Sequence, residues 1–523
     1  MKPFSEKIYL ELALPTEDDS RSDHLRLQHG LQALGFAHVQ LPLDALRQLH
    51  GACLAGGYRI TASLVFHGNA WTVVCVEPGD TRDQHYGLAV DYGSTTIVMQ
   101  LVDMNSGSSI AKASARNGQR AYGTDILTRI TYTLEAEGHR EDIRAATIES
   151  FNALLDEISA ESGVDARLCP AMILSGNTTM IHFLLGLDAW TVFASPFAPV
   201  SADPGWLRGS ELGFRFPGMV YIIPAASNYI GGDIISGLLT MDFYKKDEIG
   251  VFFDIGTNGE LVMGNREWLL AGAGAAGPAL EGYISRYGVR AQPGAIDTVS
   301  IRGRQLSYTT IGNAKPIGIC GSGIIDLIAA MRLNGWINIA GELNPAASES
   351  IVYIEDEKQY AAVYADAEES ASGEMFYFSQ TDINQYLETK AAAHTMVDCL
   401  LESAGCSEND IGHFYLSGAF SAHSNLESAI TVGIFPDLPR EKFSCIANAS
   451  LDGARTLLLD RQRFADIEYL VENMYCVQFA SVPDFLMRMY ASKFIPHTDM
   501  EKYPSVNEKL RAMAPSAHKN PSS

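Results

Sequence analysis

Basic residues are scarce in this chain. Its 523 residues hold 38 Lys and Arg against 62 Asp and Glu, for a formal net charge of −24. The acidic excess runs along the whole length with no basic stripe to interrupt it. A surface of that sign repels phosphate backbones, which excludes a nucleic-acid partner. Paired cysteines are also lacking. The eight cysteines, at 53, 75, 169, 320, 399, 406, 445 and 476, contain no CxxC and no spacing suited to an iron–sulfur or zinc site. They read as reduced thiols, and no iron–sulfur cluster is expected. Long apolar runs are missing too. The longest uncharged stretch, between Arg167 and Asp188, is broken by Pro170 and by Ser175-Gly176-Asn177-Thr178-Thr179, unlike a membrane span. The N-terminus MKPFSEKIYLELALP has neither the apolar core nor the cleavage site of a signal peptide. What remains is a globular, cytoplasmic chain, 47% hydrophobic, too long for one ordinary core.

Residues 1–86 read as a small α/β domain. Lys7 to Leu12 alternates like a strand, residues 43–55 carry helical spacing, and Ile60 to Val76 supplies two strand-like runs before the turn signal Glu77-Pro78-Gly79-Asp80. A different pattern starts at Gly87. Gly87-Leu-Ala-Val-Asp91-Tyr-Gly93-Ser94-Thr95-Thr96-Ile-Val-Met99 is an apolar strand, a glycine-bearing polar turn and a second strand. It returns as Gly250-Val-Phe-Phe-Asp254-Ile-Gly256-Thr257-Asn258-Gly259-Glu-Leu-Val-Met263. The offset is too long for a solenoid repeat and suits two similar lobes, 87–249 and 250–498. Helices are predicted over 142–162, closed by Gly163, and over 382–404, with Thr381 as N-cap and Gly405 after it. Residues 341–378 form an acidic excursion with strand-like pieces at Ile351–Ile354 and Phe376–Phe378. The polar, proline-bearing stretch 499–523 reads as a disordered tail.

A strand–turn–strand with Gly, Ser and Thr in the turn can aim backbone N–H groups at a phosphate. Asp91 and Asp254 cannot grip phosphate themselves, so their expected role is to hold Mg²⁺ beside it. Other glycine-rich segments extend the set: Asn177 and Thr178 after a buried strand, Gly232 and Asp233 on a turn between the hairpins, and Gly277 in a Gly/Ala run. Gly321-Ser322-Gly323 opens a helix, a natural anion site. Gly418-Ala419 lies where a flat base would rest against backbone.

These motifs resemble the superfamily of acetate and sugar kinases, heat-shock chaperones and actin, and more closely the reductive activators of corrinoid proteins. The residues carrying the closer resemblance are Gly87 to Thr96, Gly176 to Met180, Gly231-Gly232-Asp233, Asp254 to Glu260, Ala276 to Ala279, Gly318 to Gly323 and Gly433 to Pro436. Residues 1–86 are similar to that family's middle domain. The resemblance implies duplicated actin-like, ribonuclease H-like α/β lobes binding ATP and Mg²⁺. It also implies ATP-dependent reduction of Co(II) to Co(I) in the corrinoid protein of a methyltransferase system. Asp91, Asp233 and Asp254 are the implied catalytic carboxylates. With no cluster ligands, the electron is expected from a separate ferredoxin or flavoprotein, and a homodimer is among the assemblies allowed. Where the family tends to read Gly-Gly-Phe-Gly, this chain reads Ser417-Gly418-Ala419-Phe420-Ser421. The alternatives are a small-molecule kinase with Asp233 or Asp254 as base, and a non-enzymatic ATP-dependent sensor or chaperone of corrinoid proteins.

Overall fold

The computed structural model describes residues 2–68, 70–256, 258–274, 284–418 and 425–513. The chain forms two compact units. One holds Met1–Asp242 with Ala449–Met474, the other Phe243–Asn448 with Tyr475–Ser523. The segment 449–474, expected in the second lobe, therefore returns to the first unit, bringing the helix Ala449–Leu459 with it.

In the first unit, a four-stranded sheet runs in the order Ser5–Glu11, Arg59–His67, Ala70–Pro78, Val39–Gln40. Leu27 and Leu31 of the helix Asp23–Ala33 and Leu49 and Cys53 of Leu43–Gly56 fill its core. The adjoining six-stranded sheet has the order Ser109–Arg116, Thr96–Asp103, Tyr86–Tyr92, Ala171–Gly176, Met219–Ile222, Gly205–Arg208. Its first three strands are an antiparallel meander, and the next two join in parallel. Phe151, Leu154, Leu155 and Ile158 of the helix His139–Ser162 are fully buried in its core, each contributing roughly 1.5–3 kcal/mol of apolar burial. Gly163 ends that helix at φ 70°, as its sequence position predicts.

The second unit repeats the arrangement. Ile249–Ile255, Gly259–Gly264 and Leu269–Gly274 form the antiparallel meander, and Ile411–Ser417 and Phe443–Cys445 add in parallel on the other side. The order of these five strands matches that of the first unit, while the sixth strand joins at opposite ends of the two sheets, so the duplication read from the two Asp-x-Gly hairpins extends to a shared five-stranded core. The excursion 341–378 holds a three-stranded antiparallel sheet made of Ile351–Ile354, Gln359–Ala365 and Phe376–Ser379.

Two local expectations are corrected. The long helix spans Gln380–Ser403 and is capped by Ser379, not Thr381. Ser379 Oγ accepts the Asp382 N–H at 3.2 Å, while Asp382 accepts the Ser379 N–H at 2.9 Å. This reciprocal box satisfies two donors at once, and Thr381 Oγ1 instead donates to Gln359 at 2.7 Å. The stretch expected to be disordered is a helix over Pro504–Met513, with Tyr503 and Val506 fully buried. Pro504 stands at its first position, where the missing N–H costs nothing. Residues 514–523 lie outside the described residues.

The segment before that helix is held by a buried cation. Lys390 Nζ, fully buried, donates to the carbonyls of Ser492 (2.6 Å), Phe494 (2.9 Å) and Pro496. All three ammonium protons are thereby used. Burial pushes the ammonium down to about 7, and the three carbonyls offset part of that cost; Lys390→Met leaves them without their donor and is expected to destabilise the protein by about 1–3 kcal/mol, which thermal unfolding of the variant checks.

Candidate functional site

The first hairpin turn, Gly93-Ser94-Thr95, is fixed through its carbonyls. Asn117 Nδ2 donates to Gly93 O at 3.0 Å, Arg129 Nη1 to Ser94 O at 2.7 Å, and the Asn117 N–H to Thr95 O at 2.9 Å. A trans peptide points its C=O and the following N–H in opposite directions. The Ser94 and Thr95 N–H groups are therefore turned away from these donors. Gly93 closes the turn with its own N–H on Thr96 O at 3.1 Å, and a Cβ there would lie 2.6 Å from that oxygen. The supports are buried. Arg129 also donates to Gly123 O (3.0 Å) and to Gln119 Oε1 (3.1 Å), and Gln119 donates to Tyr92 OH (2.6 Å) and Thr147 Oγ1 (2.7 Å).

Asp91 lies on the strand leading into this turn, level with Ser175 on the parallel neighbour. Ser450 Oγ donates to Asp91 Oδ1 at 2.8 Å. Asp233 sits in the first turn of the helix Gly232–Leu238 and accepts the Ile234 N–H at 3.0 Å. Burial above all, and the nearby Asp91 carboxylate next, push Asp233 up to about 7. The elements meet closely. A Cβ on Gly231 would fall 2.5 Å from Asn177 Cα and 2.7 Å from Asp233 Oδ1, and one on Gly232 would fall 2.3 Å from Ile223 O. Two carboxylates near enough to repel each other, with hydroxyls beside them, make an oxygen-rich place that suits a hard divalent cation. Asn177 and Thr178 are engaged in holding the turns: Asn177 caps its own helix by accepting the Met180 N–H at 2.9 Å, and Thr178 Oγ1 donates to Ser227 O at 3.1 Å.

In the second unit Asp254 stands opposite Glu260 across the hairpin and beside Ser417 in the parallel pairing. The Gly256 N–H meets Asn258 O at 2.9 Å within the turn, and Gly259 begins the return strand. Gly418 has φ 92°, and a Cβ there would fall 2.3 Å from Ile255 O and 2.5 Å from Asp254 Oδ1. Only glycine brings that turn against the carboxylate. Gly321, Ser322 and Gly323 open the helix Gly321–Leu333. Ser322 is buried with its Oγ 3.3 Å from Cys320 Sγ, and Gly323 packs on Ile296 O, which a Cβ would approach to 2.4 Å. Gly272 presses on Phe479, whose ring a Cβ would meet at 2.3 Å. Thr257, Gly277 and Ala419 lie outside the described residues.

One further cluster has metal-ligand composition among the described residues: His394, Asp398 and His497. Several of its polar atoms are committed, although His394 Nε2 makes no hydrogen bond among the described residues. His497 Nδ1 accepts the Asp499 N–H at 2.9 Å, His394 Nδ1 and Tyr503 OH are 3.2 Å apart, and Asp398 lies 3.4 Å from His394 and 3.3 Å from Lys502. Lys502 supplies the positive charge a metal would bring, so the cluster reads as a buried structural network.

Comparison with known proteins decides the family. A solved structure, "Reductive activator for corrinoid,iron-sulfur protein", matches at 34% identity and TM-score 0.86, covering 96% of this chain and 81% of its own. The chain belongs to the RACo family. RACo sequence models match in series: the linker region over 1–83, the middle region over 86–246, and the C-terminal ASKHA domain over 248–507. The middle region is thus 86–246, and the N-terminal α/β domain matches the linker region, a correction to the assignment expected for 1–86. The corrinoid activation enzyme RamQ of Eubacterium limosum is 28% identical over 77% of this chain and 69% of its own length. The [Co(II) methylated amine-specific corrinoid protein] reductase of Methanosarcina barkeri is 23% identical over 73% and 71%. No helix among the described residues is long and apolar enough to cross a membrane.

Asn117, Arg129, Ser236 and Ser450 were not singled out from the sequence. Asn117 directly follows the return strand, a local signal; Ser450 is 359 residues from the carboxylate it touches. Asn117→Ala frees the Gly93 carbonyl while keeping the backbone N–H to Thr95 O, and is expected to weaken binding of a non-hydrolysable ATP analogue about tenfold, read by calorimetry. Asp233 gives a second expectation. Its proton leaves near pH 7 in the fold and near pH 4 in the open chain, so the native state binds more protons in that window and stability falls as pH rises through it. Asp233→Asn is expected to leave stability unchanged below about pH 4 and to raise it by roughly 1–3 kcal/mol above about pH 7, measured by thermal unfolding at the two pH values.

Proposed function

We propose that this protein is an ATP-dependent reductive activase, which returns an inactive Co(II) corrinoid, carried by a protein of a methyltransferase system, to the methyl-accepting Co(I) state. The observation that carries this reading is the likeness to a reductive activator over 96% of the chain, with the carboxylates Asp91 and Asp233 present in the first unit. One electron is gained at cobalt. It comes from a separate ferredoxin or flavoprotein, which leaves oxidised by one electron.

The Ser94 and Thr95 N–H groups bind phosphate oxygens. Asp91 in the first unit and Asp254 in the second are each candidate ligands for Mg²⁺, which when bound neutralises charge on the phosphate oxygens, and Gly418 is a candidate backbone surface for the base. Asp233 is the proton acceptor, since burial and then the neighbouring Asp91 carboxylate push it up to about 7, near the working pH of a general base. A water attacks the γ-phosphorus, the bond to the β-phosphate oxygen breaks, Asp233 takes the water's proton, and ADP and phosphate depart. Binding and loss of the γ-phosphate favour different conformations with different affinities for the corrinoid protein, and that difference is how ATP bears on the reduction.

An absorbance titration tests the whole reading. Protein, corrinoid protein and low-potential donor are expected to give the Co(I) band with MgATP and none without it; ATP hydrolysis with no Co(I) signal from several corrinoid proteins overturns it. Asp254→Ala is expected to lower ATP turnover at least about 100-fold with the unfolding midpoint retained. Unchanged turnover would place the ATP clasp elsewhere.

A further inference from the structure

Beneath Asp91 lie three serines from three different elements. Ser175 ends the strand Ala171–Gly176, Ser236 is in the helix Gly232–Leu238, and Ser450 begins the helix Ala449–Leu459. Ser175 and Ser236 are fully buried and Ser450 nearly so. Their oxygens form a row: Ser236 Oγ to Ser175 Oγ 2.8 Å, Ser175 Oγ to Ser450 Oγ 2.9 Å, and Ser450 Oγ to Asp91 Oδ1 2.8 Å. The same hydroxyls also approach carbonyls, Ser175 to Gly232 O at 3.1 Å and Ser236 to Asp233 O and Ser450 O at 3.0 Å each. Every one of those contacts is longer than the links of the row.

Each hydroxyl has one proton to give, and the last acceptor in the row is a carboxylate, which cannot donate when ionised. Ser450 must therefore donate to Asp91. With Ser175 donating to Ser450 and Ser236 to Ser175, every O–H points the same way, and each bond polarises the next. A buried glycine makes the row possible. A Cβ on Gly453 would fall 1.8 Å from Ser236 O, so only glycine lets the helix bearing Ser450 approach the helix bearing Ser236 this closely.

We propose that Ser236, Ser175 and Ser450 form a directed hydroxyl relay that fixes the orientation of the Asp91 carboxylate toward its cation, with Ser450 as the terminal positioning residue. The inference rests on the reading of Asp91 as a cation ligand.

Mn²⁺ is the probe, titrated into the full-length protein with a non-hydrolysable ATP analogue and followed by the electron paramagnetic resonance signal of free Mn²⁺. Ser450→Ala is expected to weaken Mn²⁺ binding about tenfold, the usual size of losing a group that orients a metal ligand. Ser175→Ala, which leaves the Ser450–Asp91 bond in place, is expected to weaken it less but measurably. Ser450→Thr keeps the hydroxyl and is expected to stay within about twofold of the parent. Parent-like Mn²⁺ binding in Ser450→Ala, alongside a large loss in Asp91→Asn, overturns the relay and leaves the Asp91 reading standing. Parent-like binding in Asp91→Asn overturns that reading itself. Equal losses in Ser450→Thr and Ser450→Ala also overturn the relay, because packing and not the hydroxyl would then be at fault.

Discussion

A peptide plane cannot turn its carbonyl and the next N–H the same way, and the first hairpin depends on that constraint. Asn117 and Arg129 do not need to reach a ligand to prepare its site. By taking the carbonyls of Gly93, Ser94 and Thr95 they set where the following N–H groups face. The guanidinium of Arg129 is fully buried, and burying it is costly unless its donors are used. It spends them on two carbonyls and a glutamine oxygen. The turn is thus stiff before anything binds, and stiffness in advance is what makes weak backbone donors effective against a phosphate.

The second unit solves a similar problem by different means. There the carboxylate, Asp254, is approached by the backbone of Gly418, at a distance no side chain would permit. Asp91 is approached by a hydroxyl from Ser450, which can donate. The two hairpins share a strand order and a motif but not their immediate partners. A duplicated fold has therefore given two equivalent carboxylates unlike neighbours.

The hairpins were legible because strand, turn and strand are adjacent in sequence and the Asp-x-Gly pattern occurs twice. The duplication of the sheets followed from that alone. Choices between neighbouring residues were harder. Ser379 and Thr381 are both good caps, and only the partner at Asp382 decides between them. Pro504 and its polar neighbours have a tail's composition, yet Tyr503 and Val506 are buried, and their partners lie far away in the chain. Ser450 was invisible for the same reason, and Arg129 looks in sequence like any charged residue of an amphipathic helix. Distant pairings set these roles, and a sequence read locally carries no record of them.

The path of the chain bears on how nucleotide could act beyond its own site. The chain passes between the units at Asp242–Phe243, Asn448–Ala449 and Met474–Tyr475. Asp233 and Ser236 lie on the helix that runs toward the first of these crossings, and Ser450 comes two residues after the second. Arg463, from the returning segment, ties Asp242 itself through a 2.7 Å ion pair. To move a two-state equilibrium from 1:99 to 99:1 a ligand must distinguish the states by about 5.5 kcal/mol. No single hydrogen bond supplies that, whereas an ion held by several charge-assisted contacts at once can. Ser450, which donates to Asp91, thus stands beside one point where the chain changes units, and Asp233 lies on the helix that precedes another.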